Sequence, residues 1–309
     1  MLSAFWEGVN GKFADRWAAV AGPALAYWLG GLLTWAYHGG GLYRLSELTT
    51  WLDRQSTVAQ LAVLLCVLVG VLASGVIVDR LTFPALRLLE GYWPGWLSGV
   101  RGWLIRRRQD RSKAENAEWQ QLAAVVMGQP EIATPEQLAA FVRLDSERRR
   151  QPSNPNRYLP TRIGNILRAA ESLPGDKYGL DAVVVWPRLW LLLPDTPRKE
   201  VQAARASLDA GVAATIWGLL LCAFTVWTPL VIPVGLTIAV AAAWFWIPAR
   251  AKIFGDLLEA AFDLHRTELY RQLRWPLPTD PRQERIQGER LTSYLWRGSD
   301  DAEPPFTPS

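Results

Sequence analysis

AGVAATIWGLLLCAFTVWTPLVIPVGLTIAVAAAWFWIPA, Ala210–Ala249, runs for 40 residues without a formal charge. A helix on a water-soluble protein needs a polar face and cannot avoid charge for so long, whereas about 20 apolar residues match the hydrocarbon core of a bilayer. The block is therefore long enough to cross a membrane and return. Pro229 and Pro233 interrupt it near the middle. We read a helical hairpin: one span over Ala210–Trp227, a tight turn at Thr228 and Pro229, and a second span over Leu230–Ile247. Pro233 falls in the first turns of the returning helix, where a missing N–H costs little.

Two further uncharged blocks lie upstream, Trp17–Tyr43 and Val58–Val78. They predict spans over Trp17–Tyr37 and Val58–Val78. The expected fold class is an all-α membrane protein with four transmembrane helices, arranged as two helix pairs, and a mostly helical cytoplasmic portion. Of 17 tryptophans, Trp17, Trp35, Trp227, Trp244 and Trp246 fall near span ends, where the headgroup interface favours amphipathic rings.

Charge sets the orientation. The 38–57 connection holds only Arg44 and Arg54, while 79–209 holds 20 Lys and Arg against 15 acids and 250–309 holds nine bases. Positive residues flanking spans stay inside, so both termini and the 79–209 region are expected in the cytoplasm of a cell whose inner (plasma) membrane carries the spans. That excess, and the net charge of +4, is what the rule requires of any such protein; it does not indicate a nucleic-acid partner. Cys66 and Cys222 both lie within spans and read as small apolar packing residues rather than as disulfide or metal ligands. The first 16 residues lack the continuous apolar region of a cleavable signal.

The remaining organisation is set by periodicity. Residues 1–16 read as an interfacial amphipathic helix, with Leu2, Phe5, Trp6, Val9 and Phe13 on one face. After the second span, Trp93, Trp96 and Trp103 alternate with glycines, and Arg101, Arg106, Arg107, Arg108 and Arg111 overlap and follow them. Rings at headgroup depth with arginines toward anionic lipid is the physical reading. Thr134-Pro135-Glu136-Gln137 is a helix start with a capping box. Another helix starts at Thr161, and Gly175 and Gly179 bracket a turn. Asp181–Leu193 fits a short strand at Val183–Trp186 or a helix kinked at Pro187. Thr196-Pro197 caps a helix that runs straight into the third span. The fourth span continues through 248–297 along an apolar face holding Phe254, Leu258, Phe262, His265 and Leu269. Asp280-Pro281 starts a last short helix, and 298–309 is a tail without structure by composition.

The segments LPTRIGNILRAAE (159–171) and YGLDAVVVWPRLWLLLP (178–194) resemble stretches that recur in a group of uncharacterised bacterial multi-span inner-membrane proteins. AAFDLHRTELYRQL (260–273) is similar to their C-terminal portion. The resemblance implies a bacterial inner-membrane setting and carries over no activity and no site residues.

Catalytic signatures are missing: no Gly-rich phosphate loop, HExxH or GxSxG occurs. Neither an enzyme nor a cofactor is expected. Loop arginines Arg162, Arg168 and Arg188 lack any nucleophile or metal set to act with on a lipid headgroup. The spans carry no Asp, Glu, Lys or Arg, which argues against coupled transport. Gln60, Ser74, Thr215 and Thr225 are the candidate pore-lining residues. Gly22, Ala26, Gly30, Gly70, Gly235, Ala239 and Ala243 form small-residue ladders suited to close helix packing or oligomer contacts. The expected function is a homo-oligomeric membrane channel or effector whose cytoplasmic helices sense a ligand or partner. A non-catalytic anchor that docks a cytoplasmic protein at the inner leaflet is the alternative. The expected partners are anionic lipids, further copies of the chain, and that protein or small ligand.

Overall fold

The computed structural model describes residues 13–41, 43–128, 131, 133–299 and 305–307. The regular elements are all helical, and no strand occurs among the described residues. The helices are α1 (Phe13–His38), α2 (Tyr43–Asp53), α3 (Thr57–Glu90), α4 (Ser98–Gly128), α5 (Pro135–Arg148) and α6 (Arg162–Tyr178). They continue as α7 (Ala182–Leu192), α8 (Asp195–Leu221), α9 (Val231–Ala241), α10 (Ile247–Gln272) and α11 (Pro281–Arg297). Three stretches are long and apolar enough to cross a membrane, within Thr57–Gly128, Asp195–Val226 and Val231–Gln272. They hold the predicted second, third and fourth spans. The predicted first span falls inside α1.

The chain divides into two compact units. Among the described residues, 13–86 (leaving out 42) with 207–247 form the apolar one. Its interior is thin: Ala24, Val71, Val78 and Trp217 are buried together, with Tyr27, Ala213 and Ile216 packed on them. The Tyr27 ring stands 4.9 Å from Trp217 and 4.8 Å from Phe224. Leu86, Leu208, Val212 and Ile247 are also buried, whereas Leu61, Leu64, Leu65, Val67, Leu68 and Val69 of α3 are all exposed. Each would gain about 1.5–3 kcal/mol on leaving water. Such a face is compatible with a membrane and poorly suited to water.

The hairpin has the predicted shape. After α8 a 3-10 turn over Cys222–Val226 leads to the reversal, and Pro233 sits in the first turn of α9. Backbones touch here: a methyl on Gly235 would lie 2.5 Å from the Gly218 carbonyl oxygen and 2.8 Å from Cys222 Sγ. A π-helical turn over Ala242–Trp246 joins α9 to α10. It inserts one residue into the periodicity, so the buried positions step from Ala242 to Ile247 and then resume at Ala251, Phe254 and Leu258.

The second unit takes in the described residues of 87–206 and 248–299 together with 305–307. Trp186, Leu189, Phe262, Leu258, Leu269 and Tyr270 form its centre, with Trp186 5.7 Å from Phe262. Asn165, 4 % exposed, holds the preceding chain as a strand partner would: the Leu159 N–H donates to Oδ1 at 2.7 Å, and Nδ2 donates to the Leu159 carbonyl at 2.9 Å. Lys177 bridges from α6 to Glu259 of α10 at 2.7 Å, and Arg266 binds Glu284 of α11 at 2.7 Å.

Several local expectations need correcting. The 181–193 segment is a helix, α7, with Pro187 inside it. Gly175 does not open a turn; α6 runs through Pro174 and Gly175 to Tyr178, and only Gly179, at φ +70°, ends it. Helix α8 starts at Asp195 rather than being capped at Thr196. The last helix is not short, spanning 17 residues behind an Asp280 N-cap. The 38–57 connection contains α2, and the Trp- and Arg-rich stretch continues as the 31-residue α4. Cys66 is exposed rather than packed within the chain, whereas Cys222 is half-buried. His265 is only half-buried. Residues 1–12 of the predicted interfacial helix lie outside the described residues, and 13–16 belong to α1. In the tail, 300–304 and 308–309 lie outside them as well. Thr307 is tied down rather than unstructured: its N–H donates to the Arg274 carbonyl at 2.8 Å, and Phe306 meets Trp275 and Tyr294 edge-on.

Gly235→Ala is expected to cost about 1–3 kcal/mol by overpacking. Gly99→Ala, at a helical position with nothing within 4 Å, should stabilise slightly, by about 0.5–1 kcal/mol. Thermal melts of the purified chain in detergent check both, and equal effects would contradict the close approach.

Candidate functional site

Helix α3 ends at Glu90, and capping interactions shape the next few residues. Gly91, at φ +100°, turns the chain; its N–H donates to the Leu88 carbonyl and the Tyr92 N–H to the Arg87 carbonyl, both at 3.0 Å. Those bonds satisfy carbonyls that a helix end leaves without partners. The Arg87 guanidinium lies 3.8 Å over the Tyr92 ring, and Trp93 Nε1 donates to the Leu88 carbonyl at 2.8 Å. Trp93, predicted as a lipid contact, thus acts as a cap on α3.

The other predicted lipid contacts divide by face. Trp96 and Trp103 project outward, 81 % and 53 % exposed, and the Arg107 guanidinium sits 5.5 Å from the Trp103 ring. Arg106 and Arg107 are exposed. Arg101 and Arg108 turn partly inward, and Nε of Arg101 has no hydrogen-bond partner among the described residues. Burial, together with the neighbouring charges of Arg111 and Arg162, pushes the Arg108 guanidinium below its ordinary value. Arg111 is exposed but pairs with Glu115 at 2.8 Å. Trp96, Trp103, Arg106 and Arg107 therefore form the outward patch that could meet a headgroup layer.

Among the pore-lining candidates, three direct their hydrogen bonds to nearby groups. Gln60 Nε2 donates to the Leu52 carbonyl at 3.0 Å, and Thr215 Oγ1 to the Gly211 carbonyl at 3.1 Å. Ser74 Oγ donates to the Val71 carbonyl at 2.7 Å and accepts from Trp28 Nε1 at 3.0 Å. Thr225 is exposed in the 3-10 turn. No hydrogen bond joins one of the four to another among the described residues.

The small-residue ladders also separate. Gly235 and Ala239 pack within the chain against Gly218, and a methyl on Gly30 would lie 3.6 Å from Leu221. Ala243 is half-buried. A methyl on Gly22 or Gly70 would meet nothing within 4 Å, and Ala26 is exposed beside Gly22. Gly75 is not part of any predicted ladder, yet a methyl there would fall 2.9 Å from the Val20 carbonyl.

The second unit holds a cleft of about 520 Å³ between α4, the end of α5, the 149–158 connection and α6. Helix α4 faces it with Gln109, Ser112, Asn116 and Gln120, one polar stripe at three- and four-residue spacing. A hydrogen-bonded chain supports the wall. Ser112 Oγ and Tyr158 Oη lie 2.6 Å apart, Tyr158 donates to Gln151 at 2.9 Å, and Gln151 Nε2 donates to Glu115 at 3.1 Å. Trp119 donates to Asp145 at 3.2 Å, with Arg148 4.0 Å over its ring. Sequence reasoning misses the stripe because it reads this stretch as a Trp- and Arg-rich headgroup contact and not as a helix; the spacing of the four residues is the available signal.

No three-residue group of His, Cys, Asp or Glu that could hold a metal occurs among the described residues. Searches against family models, curated proteins and solved structures return no match.

Near the end of α3, Glu90 is 7 % exposed. Burial and then the Glu171 carboxylate push its carboxyl above the ordinary value, against the pull of Arg87, which lies 3.5 Å away, and of Arg205. A raised carboxyl favours the protonated form in the folded chain. Its contribution to stability is present below the unfolded value of 4.5 and is lost as pH rises through the folded one. Melting temperature should therefore fall less steeply from pH 4.5 toward neutrality in Glu90→Gln than in the parent chain. Identical slopes would show that Glu90 carries no such penalty.

Proposed function

We propose that the chain is a bacterial inner-membrane protein that crosses the bilayer four times, through α1 as well as the three apolar stretches. Both termini, 79–209 and 248–297 then face the cytoplasm. In this reading it assembles with further copies of itself into a channel or membrane effector, and its helical cytoplasmic unit senses a ligand or partner. It is not an enzyme.

The observation that carries the reading is continuity. Helix α8 holds residues of both compact units without a break, and α9, the π turn and α10 follow one another without a loop. A helix resists bending except where proline, a π turn or an inserted group interrupts its hydrogen bonds. A shift of the cytoplasmic helices would thus be felt in the spans, with the π turn at Ala242–Trp246 as the place to absorb rotation. Conduction would require several copies, because the polar span residues mostly bond their own backbone. Gly22, Ala26 and Gly70, open in the single chain, are the positions where a neighbouring copy could approach closely. Trp96, Trp103, Arg106 and Arg107 would rest against anionic headgroups.

The anchor reading has one observation in its favour: Leu264 and Trp296 of the cytoplasmic helices are 72 % and 66 % exposed, as docking residues would be. The two readings separate by mass. The chain in lipid nanodiscs, with lipid subtracted, is expected to give a discrete multiple of 34.6 kDa. Gly70→Leu should shift it toward the single-chain mass. A strictly monomeric parent chain would overturn the channel reading and leave the anchor.

A further inference from the structure

A helix packed against its neighbours ordinarily turns an apolar stripe inward. Helix α4 instead presents Gln109, Ser112, Asn116 and Gln120 to the cleft it shares with α5 and α6. The cleft is half open; Gln109 donates to the Pro155 carbonyl at 2.7 Å and Ser112 meets Tyr158 at 2.6 Å, which leaves the carboxamides of Asn116 and Gln120 as the groups a ligand would engage. At about 520 Å³ the space lies within the range of small-molecule sites, roughly 300–1,000 Å³. It is far larger than a bare phosphate ion needs.

Charge narrows the occupant. Lys113, Arg148 and Arg149 line the cleft against two carboxylates, Asp145 and Asp176. Both carboxylates are engaged: Asp145 accepts from Trp119, and Asp176 accepts from Ser153 and, at 2.9 Å, from Arg157. Lys113 pairs with Asp110 at 3.4 Å, so the net positive charge of the cleft rests on Arg148 and Arg149, whose planar donor forks suit phosphate oxygens. The carboxamides of Asn116 and Gln120, one turn apart on α4, offer paired donors and acceptors. Amide groups of this kind read the edge of a planar heterocycle.

We infer that the cleft between α4, α5 and α6 is a binding site for a nucleoside phosphate, with Lys113, Arg148 and Arg149 toward the phosphate and Asn116 and Gln120 toward the base. This names the ligand class for the sensing role proposed above and rests on that reading only for the consequence of binding. Titration calorimetry of the full chain in nanodiscs, with AMP, ADP, GDP and inorganic phosphate as separate probes, tests it. At least one nucleotide should bind in the micromolar range. Lys113→Gln should weaken that binding at least tenfold, and Asn116→Leu should abolish the preference for nucleotide over inorganic phosphate. Lys113 is an exposed side chain, so its replacement leaves the fold intact, and an unchanged melting temperature confirms this. No heat with any nucleotide, equal affinity for inorganic phosphate, or affinities unmoved by both substitutions would overturn the inference. Binding is scored without regard to mass or conductance, so this site and the channel reading fail separately.

Discussion

A backbone in hydrocarbon can satisfy its N–H and C=O groups only by bonding to itself, and the three stretches long and apolar enough to cross a membrane meet that constraint by being helical. The 40 uncharged residues of Ala210–Ala249 are helical over almost their whole length. The one reversal is confined to a few residues around Thr228 and Pro229, immediately after a 3-10 turn that tightens the end of α8. Proline at 229 and 233 removes donors where few partners exist. Gly218 and Gly235 let the two backbones touch, and dispersion across that contact replaces the hydrophobic drive that helices lack in lipid.

Much of this is legible in the residues. The length of the uncharged blocks locates three apolar helices, and the prolines place the turn. The Thr134 capping box is present in both halves: the Gln137 N–H donates to Thr134 Oγ1 at 3.3 Å, and the Thr134 N–H donates to Gln137 Oε1 at 3.0 Å. Caps of this kind are local, so a four-residue window contains all the information. The continuation of the fourth span into 248–272 is visible for a similar reason, because the apolar stripe from Phe254 to Leu269 repeats over several turns.

The features that escape sequence reasoning are decided by tertiary contact or by weak local signals. Helix α4 begins with Gly99 and Gly102 among tryptophans, residues that alone argue for a turn. Its first turns form nevertheless, directly after the 3-10 turn over Gly95–Leu97. Gly175 reads as the start of a turn, yet α6 continues through Pro174 and Gly175, and Gly179 packs against α11. The π turn at Ala242–Trp246 leaves no compositional mark in a run of apolar residues. The polar stripe of α4 emerges only once the whole helix is recognised. The small-residue ladder cannot by itself tell Gly235, packed within the chain, from Gly70, open to its surroundings.

An apolar unit, whose outward leucines and valines call for lipid, is joined in one chain to a polar unit with a ligand-sized cleft. The proposed four-span topology would put α2 and the helices of the second unit on opposite faces of a membrane. Single cysteines at Ser46, Ser146 and Thr279, all exposed, report it most directly in a background with Cys66 and Cys222 replaced. A membrane-impermeant maleimide added to intact cells should label Ser46→Cys, and should reach Ser146→Cys and Thr279→Cys only after the membrane is opened. Labelling of all three from the same side would contradict the four-span topology and the functional reading built on it.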